Sequence, residues 1–152
     1  MKRYQIEFDI QYGYWYCVMY ESLCRRIDFV CNLIQFVGGS AAAAGVVAAS
    51  PGWIAASGVL LALTAAISLY LQPGVKAERL MQAKHQWLDL KARMPTLDEV
   101  ALAAEVAKHQ KADLGMPTLS LAASNAAMRA MGYTEGFASL TRTQRMLAKL
   151  AS

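Results

Sequence analysis

Cys17, Cys24 and Cys31 recur every seven residues, and three thiols in register make metal ligation and redox exchange the first chemistries to weigh. On a helix, residues seven apart lie two turns, about 10 Å, from each other. That is too far to share one metal ion or to close an intrahelical disulfide. The spacing fits small packing residues better, and three cysteines without CxxC spacing fit reduced thiols. His85 and His109 fall on separate predicted helices, with neither an HExxH pattern nor a Cys/His cluster. Gly38-Gly39-Ser40 lacks the GxxxxGKS/T pattern of a phosphate-binding loop, and no GxSxG occurs. Asp89, Asp98, Glu99 and Glu105 read as helix-surface carboxylates. The residues therefore predict no catalytic site, no metal site and no cofactor, and the expectation is a protein that is not an enzyme.

A second set of polar residues sits where charge is missing. Phe29 to Val75 is a run of 47 residues without Asp, Glu, Lys or Arg, with Ser50-Pro51-Gly52 near its middle. A membrane-crossing helix needs roughly 20 mostly apolar residues. The run accommodates one span at 27–49, a turn at 50–52 and a second span at 53–72. Within the second span Ser57, Thr64, Ser68 and Gln72 lie on one helical face, interrupted by Leu61, while Asn32 and Gln35 add carboxamides near the start of the first. Polar side chains at that depth turn toward protein or a water-filled cavity, so the line could border a pore. Hydroxyls also bond their own helix carbonyls, which is the plainer reading. A buried hairpin inside a soluble oligomer would ordinarily carry a charged outer face, and neither span has one.

Small residues supply the packing side. Cys17, Tyr20, Cys24, Ile27, Cys31, Ile34, Gly38, Ala41 and Gly45 follow alternating steps of three and four, a heptad seam along one long helix from about residue 14 to 49. Gly38, Ala41 and Gly45 permit close helix approach, within the hairpin or between copies, and a homo-oligomer is expected. Arg25 and Arg26 precede the first span and Lys76 and Arg79 follow the second. This bias predicts a multi-pass protein of the inner (cytoplasmic) membrane with both termini cytoplasmic, and no cleaved signal.

Outside the hairpin the chain divides into an aromatic N-terminal segment, 1–26, and a helical region, 73–152, in which residues 76–152 carry 11 basic and 7 acidic residues. Tyr4, Ile6, Phe8, Ile10 and Tyr12 alternate with polar residues as in a short β-strand that Gly13 ends. The competing form is a surface helix with Tyr14, Trp15, Tyr16 and Tyr20 as an aromatic belt. Helices are predicted over 76–94, from a Thr96/Glu99 capping box to about 113, from Pro117 to 131, and over 141–151 behind a Thr141/Gln144 box. The last presents Arg142, Arg145 and Lys149 beside Met146, Leu147 and Leu150, a pattern able to contact acidic lipid. Basic residues scattered among acids without an aromatic stacking platform give no nucleic-acid surface.

The predicted fold class is thus an all-α membrane protein: a two-helix hairpin, a long N-terminal helical extension and a cytoplasmic helical region. Two adjacent spans with a minimal turn, a helix entering the first with Arg25-Arg26 at its boundary, and helices after the second resemble the SLATT group of two-span proteins. The resemblance implies a pore-forming effector of bacterial or phage origin, and a phage holin is a close variant. The alternative is a non-conducting anchor or scaffold that binds a protein partner through its cytoplasmic helices.

Overall fold

A computed structural model describes residues 3–47, 50–110 and 117–151, and the surroundings of 45–47 lie outside that description. Ala49, Asp113 and Gly115, assigned above from sequence, fall outside it, and of Gly45 only the helical backbone is described. Among the described residues six helices follow in order: α1 Arg3–Val47, α2 Pro51–Leu71, α3 Pro73–Arg93, α4 Glu99–Gln110, α5 Pro117–Ala130 and α6 Arg142–Ala151. They form two compact units. One comprises residues 1–23 and 77–152, the other residues 24–76.

The N-terminal strand does not exist: residues 4–12 are helical and no strand occurs among the described residues. The reason is visible in the burial. Ile6 and Ile10 are 0% and 1% exposed, Gly13, Cys17 and Tyr20 are also buried, and their steps of four, three, four and three continue the heptad seam backwards. Phe8, Tyr12, Tyr16 and Tyr20 form a second row at steps of four, with ring centroids 6.0–6.3 Å apart. Two i,i+4 rows offset by two residues mimic a period of two over so short a stretch. Nor does Gly13 end anything. A Cβ there would stand 2.6 Å from Cζ2 of the Trp87 indole, so the glycine is the contact that lets α3 lie against α1.

The same unit is filled by Leu80, Trp87 and Leu90 of α3, Leu102 and Val106 of α4, and Leu119, Ala122, Ala123 and Ala127 of α5. Removing that apolar surface from water, roughly 25 cal/mol per Å², is what gives residues 3–23 a partner within their own chain. Lys84 Nζ meets Glu21 Oε2 at 2.6 Å across α3 and α1. Asp98, rather than Thr96, caps α4: its Oδ1 accepts the Ala101 N–H at 2.9 Å. Thr96 instead closes α3, donating both its N–H and its hydroxyl to the Arg93 carbonyl.

Helix α5 ends at Gly132, φ +87°, with the Gly132 N–H on Arg129 O and the Tyr133 N–H on Met128 O, both at 3.0 Å. This is the Schellman arrangement, in which glycine adopts the left-handed conformation at little cost. The chain from there to α6 is held by Asn125. Its Nδ2 donates to Ala138 O and its Oδ1 accepts the Ala138 N–H, each at 2.9 Å. Helix α6 starts on a reciprocal box: the Thr141 N–H donates to Gln144 Oε1 at 3.0 Å and the Gln144 N–H to Thr141 Oγ1 at 3.3 Å.

In the other unit α1 and α2 pair as a hairpin. Pro51 occupies the first turn of α2, where its missing N–H costs nothing. Gln72 ends α2 in the left-handed region, φ 44° and ψ 52°, with its N–H on Ser68 O. Its own carbonyl accepts the Lys76 N–H and so begins α3.

Candidate functional site

Among the described residues two helices are long and apolar enough to cross a membrane, and only 11% of the apolar stretch of each is buried. Burial of that size is far below what the core of a soluble protein requires. The exposed side chains include Phe29, Leu33, Phe36, Val37, Leu63, Leu69 and Tyr70, which surround the hairpin with apolar surface.

Between the two helices the small residues do the packing. Cys24, Cys31 and Gly38 are buried, and Ile27, Ile34 and Ala41 are half-buried. A Cβ on Gly38 would lie 3.1 Å from Leu61 Cδ2 and 3.3 Å from its Cγ. Gly38 thus receives Leu61, the residue that interrupts the polar line of α2. That line lies on the same packed face: Ser57 and Thr64 are 6% and 5% exposed. Ser57 Oγ donates to Trp53 O at 2.7 Å or Ile54 O at 3.1 Å, and Thr64 Oγ1 to Leu60 O at 2.9 Å or Leu61 O at 3.1 Å. Their hydroxyls are satisfied within α2, while Gly39 has open space beside it and Ala43 and Ala44 are exposed.

Ser68 and Gln72 behave differently. With Asp28, Gln35, Ala65, Leu69, Pro73, Gly74 and Val75 they line a cleft of about 530 Å³ at the charged end of the hairpin. Asp28 accepts from Asn32 Nδ2 at 3.2 Å. Its Oδ1 lies 3.3 Å from where a Gly74 Cβ would stand, over the first turn of α3. No cation is paired with the Asp28 carboxylate among the described residues, and no hydrogen bond of the Gln35 or Ser68 side chains is seen among them. Gln35 and Ser68 are half-buried and Gln72 is exposed, so these polar groups border an open cleft. Asn32 and Gln35 were legible in the sequence as carboxamides, but the cleft was not. Arg25, Asp28, Asn32 and Gln35, at steps of three, four and three, carried the signal. On the other side of the seam Leu33, Val37, Trp53, Ala56 and Leu60 border an apolar groove of about 410 Å³.

The other unit offers less chemistry. Cys17 is buried, and burial first, with the Glu21 carboxylate second, pushes its thiol up to about 11 against a pull from Lys84. Burial raises the Asp9 carboxyl, opposed by a hydrogen bond with Gln110. His109 packs on Trp87, ring centroids 5.4 Å apart, and its Nε2 is 4.0 Å from Glu105. His85 is exposed. Asp89 pairs with Arg93 at 3.7 Å and Glu105 with Lys108 at 4.0 Å, surface pairs worth little. No group of three or more His, Cys, Asp or Glu able to hold a metal ion occurs among the described residues. On α6, Arg142, Arg145 and Lys149 are exposed together with Met146 and Leu150, and Ala151 is buried. Set against protein-family models, curated proteins and solved structures, the chain matches none.

Proposed function

We propose that this chain is an oligomeric integral membrane protein of the anchor or scaffold type. Its hairpin, residues 24–76, lies in a bilayer with Arg25, Arg26, Lys76 and Arg79 at the cytoplasmic face of an inner membrane and both termini cytoplasmic. One observation carries the preference for an anchor: Ser57 and Thr64 are buried within the hairpin, and their hydroxyls bond their own helix. A line of hydroxyls spent in this way offers little to water or ions passing outside the hairpin. The helical unit is then the part that meets a protein partner. The exposed Arg142, Arg145, Met146 and Leu150 face of α6 suits contact with acidic lipid beside it.

The pore reading keeps one supporting observation. Ser68 and Gln72 continue the polar line into an open cleft, so hairpins that parted from one another there would present a wet path at one end. The two readings separate by reconstitution. Purified full-length protein in liposomes should give no discrete single-channel currents as an anchor. Currents that vanish in Ser68→Leu or Thr64→Leu at equal density and unchanged oligomeric state would establish the pore instead. Gly38→Leu should weaken the hairpin in either case.

A further inference from the structure

The cleft at the charged end of the hairpin has a lining that specifies its occupant. Its polar lining is one carboxylate, Asp28, two carboxamides, Gln35 and Gln72, and the Ser68 hydroxyl, interspersed with Ala65, Leu69, Pro73, Gly74 and Val75. An anion would meet the Asp28 carboxylate as the only formal charge in the lining. A divalent cation requires six or more oxygen ligands or a strict octahedron, and half of this lining is hydrocarbon. An uncharged polar guest would leave Asp28 without a counter-charge among the described residues. What fits this mixed lining is an amphiphile with a positively charged head: a charged nitrogen against Asp28, hydrogen bonds to the carboxamide and hydroxyl oxygens, and carbon against Leu69 and Val75.

We propose that this cleft binds the primary-ammonium headgroup of a zwitterionic phospholipid, with Asp28 as its counter-charge and Gln35, Ser68 and Gln72 as hydrogen-bond acceptors. The cleft runs along α1 from Asp28 to Gln35, two turns or about 10 Å, which carries the polar lining below the charged residues into the apolar span, where a lipid headgroup and the start of its chains meet. The missing side chain at Gly74 leaves room for the carboxylate beside the first turn of α3. The inference rests on the hairpin being in a bilayer.

The test uses full-length protein purified in mild detergent and examined by native mass spectrometry with phosphatidylethanolamine or phosphatidylglycerol of identical chains. A charge-assisted contact predicts roughly tenfold preferential retention of phosphatidylethanolamine. Asp28→Asn should abolish that preference, and Gln35→Leu, which leaves the charge and the α3 contact in place, should reduce it. Glycerophosphoethanolamine, which has the head but no chains, should compete at least about tenfold less well; equal competition would overturn a lipid as the source. Equal retention of both lipids by the unsubstituted protein, or a preference that survives both substitutions, overturns the site. Carbonate extraction of the expressing membranes separates the two levels of inference. Protein that is released overturns the hairpin reading and this one with it, whereas protein that stays embedded but shows no headgroup preference overturns this one alone.

Discussion

Gly13 and Cys17 occupy successive positions on the buried face of α1, and each has a measurable signature. A methyl group at position 13 would be driven into the Trp87 indole. Overpacking of this kind costs about 1–3 kcal/mol, against about 1 kcal/mol gained because alanine favours a helix over glycine. With a core tryptophan as the obstacle, the steric cost wins. Gly13→Ala should lower the Tm followed by circular dichroism by a few degrees, and Gly13→Leu by more; an unchanged Tm in both would show that Trp87 moves aside freely. Cys17 has its thiol held up at about 11 from an ordinary 9.0, so the thiolate is scarce at neutral pH. In a Cys24→Ser, Cys31→Ser background, maleimide should label native protein slowly at pH 7.5 and rapidly once unfolded. The sign of the linkage follows from a folded value above the unfolded one. The contribution to stability is complete below about pH 9 and is lost as the pH rises toward 11, which urea melts at pH 8, 9.5 and 11 would register as a falling midpoint.

At the scale of elements, the segment between α5 and α6 is tied down by Asn125, with Arg129 over the Phe137 ring and Tyr4 against Tyr133 as further contacts. Asn125 satisfies both backbone groups of Ala138, and each buried group left unpaired costs about 1–3 kcal/mol. Asn125→Ala should therefore release the loop, and a Glu-specific protease should cut native protein after Glu135 several-fold faster, with little change in helix content. How far the elements could be read depended on the lengths involved. The run of 47 uncharged residues and the Pro117 start are long or unambiguous signals, and both hairpin helices and α5 follow them, although α2 begins at Pro51, inside the turn expected at 50–52. The alternation over residues 4–12 is too short to separate a strand from two adjacent helical rows. Only the continuation from Ile6 through Gly13 to Cys17 resolves it, and that required treating Gly13 as a contact rather than a stop. Thr96 and Asp98 both suit a helix start, and the geometry of the preceding turn, which the sequence does not carry, gives the cap to Asp98.

For the whole molecule the proposed membrane setting is tested by which side of a bilayer each part occupies. In a cysteine-free background, Gly52→Cys and Ser139→Cys should be labelled by an impermeant maleimide from opposite faces of sealed vesicles; labelling of both from one face would contradict a hairpin that crosses twice. The seam was visible in advance because Cys24, Cys31 and Gly38 share one register. The cleft was not, because it exists only once Asp28 and Gln35 of α1 are set beside Ser68 and Gln72, residues separated by at least 33 positions in the chain. The paired hydroxyls of Ser57 and Thr64 bear on biogenesis as well as on conduction. Because each bonds a carbonyl one turn back, α2 would, in the proposed membrane setting, reach the bilayer with those two hydroxyls already satisfied and without waiting for α1 to shelter them. Insertion and pairing become separable events, in the order expected when helices enter a membrane first and associate afterwards. Two polypeptides divided at the 50–52 turn and made in the same cell should then reassemble the hairpin unaided.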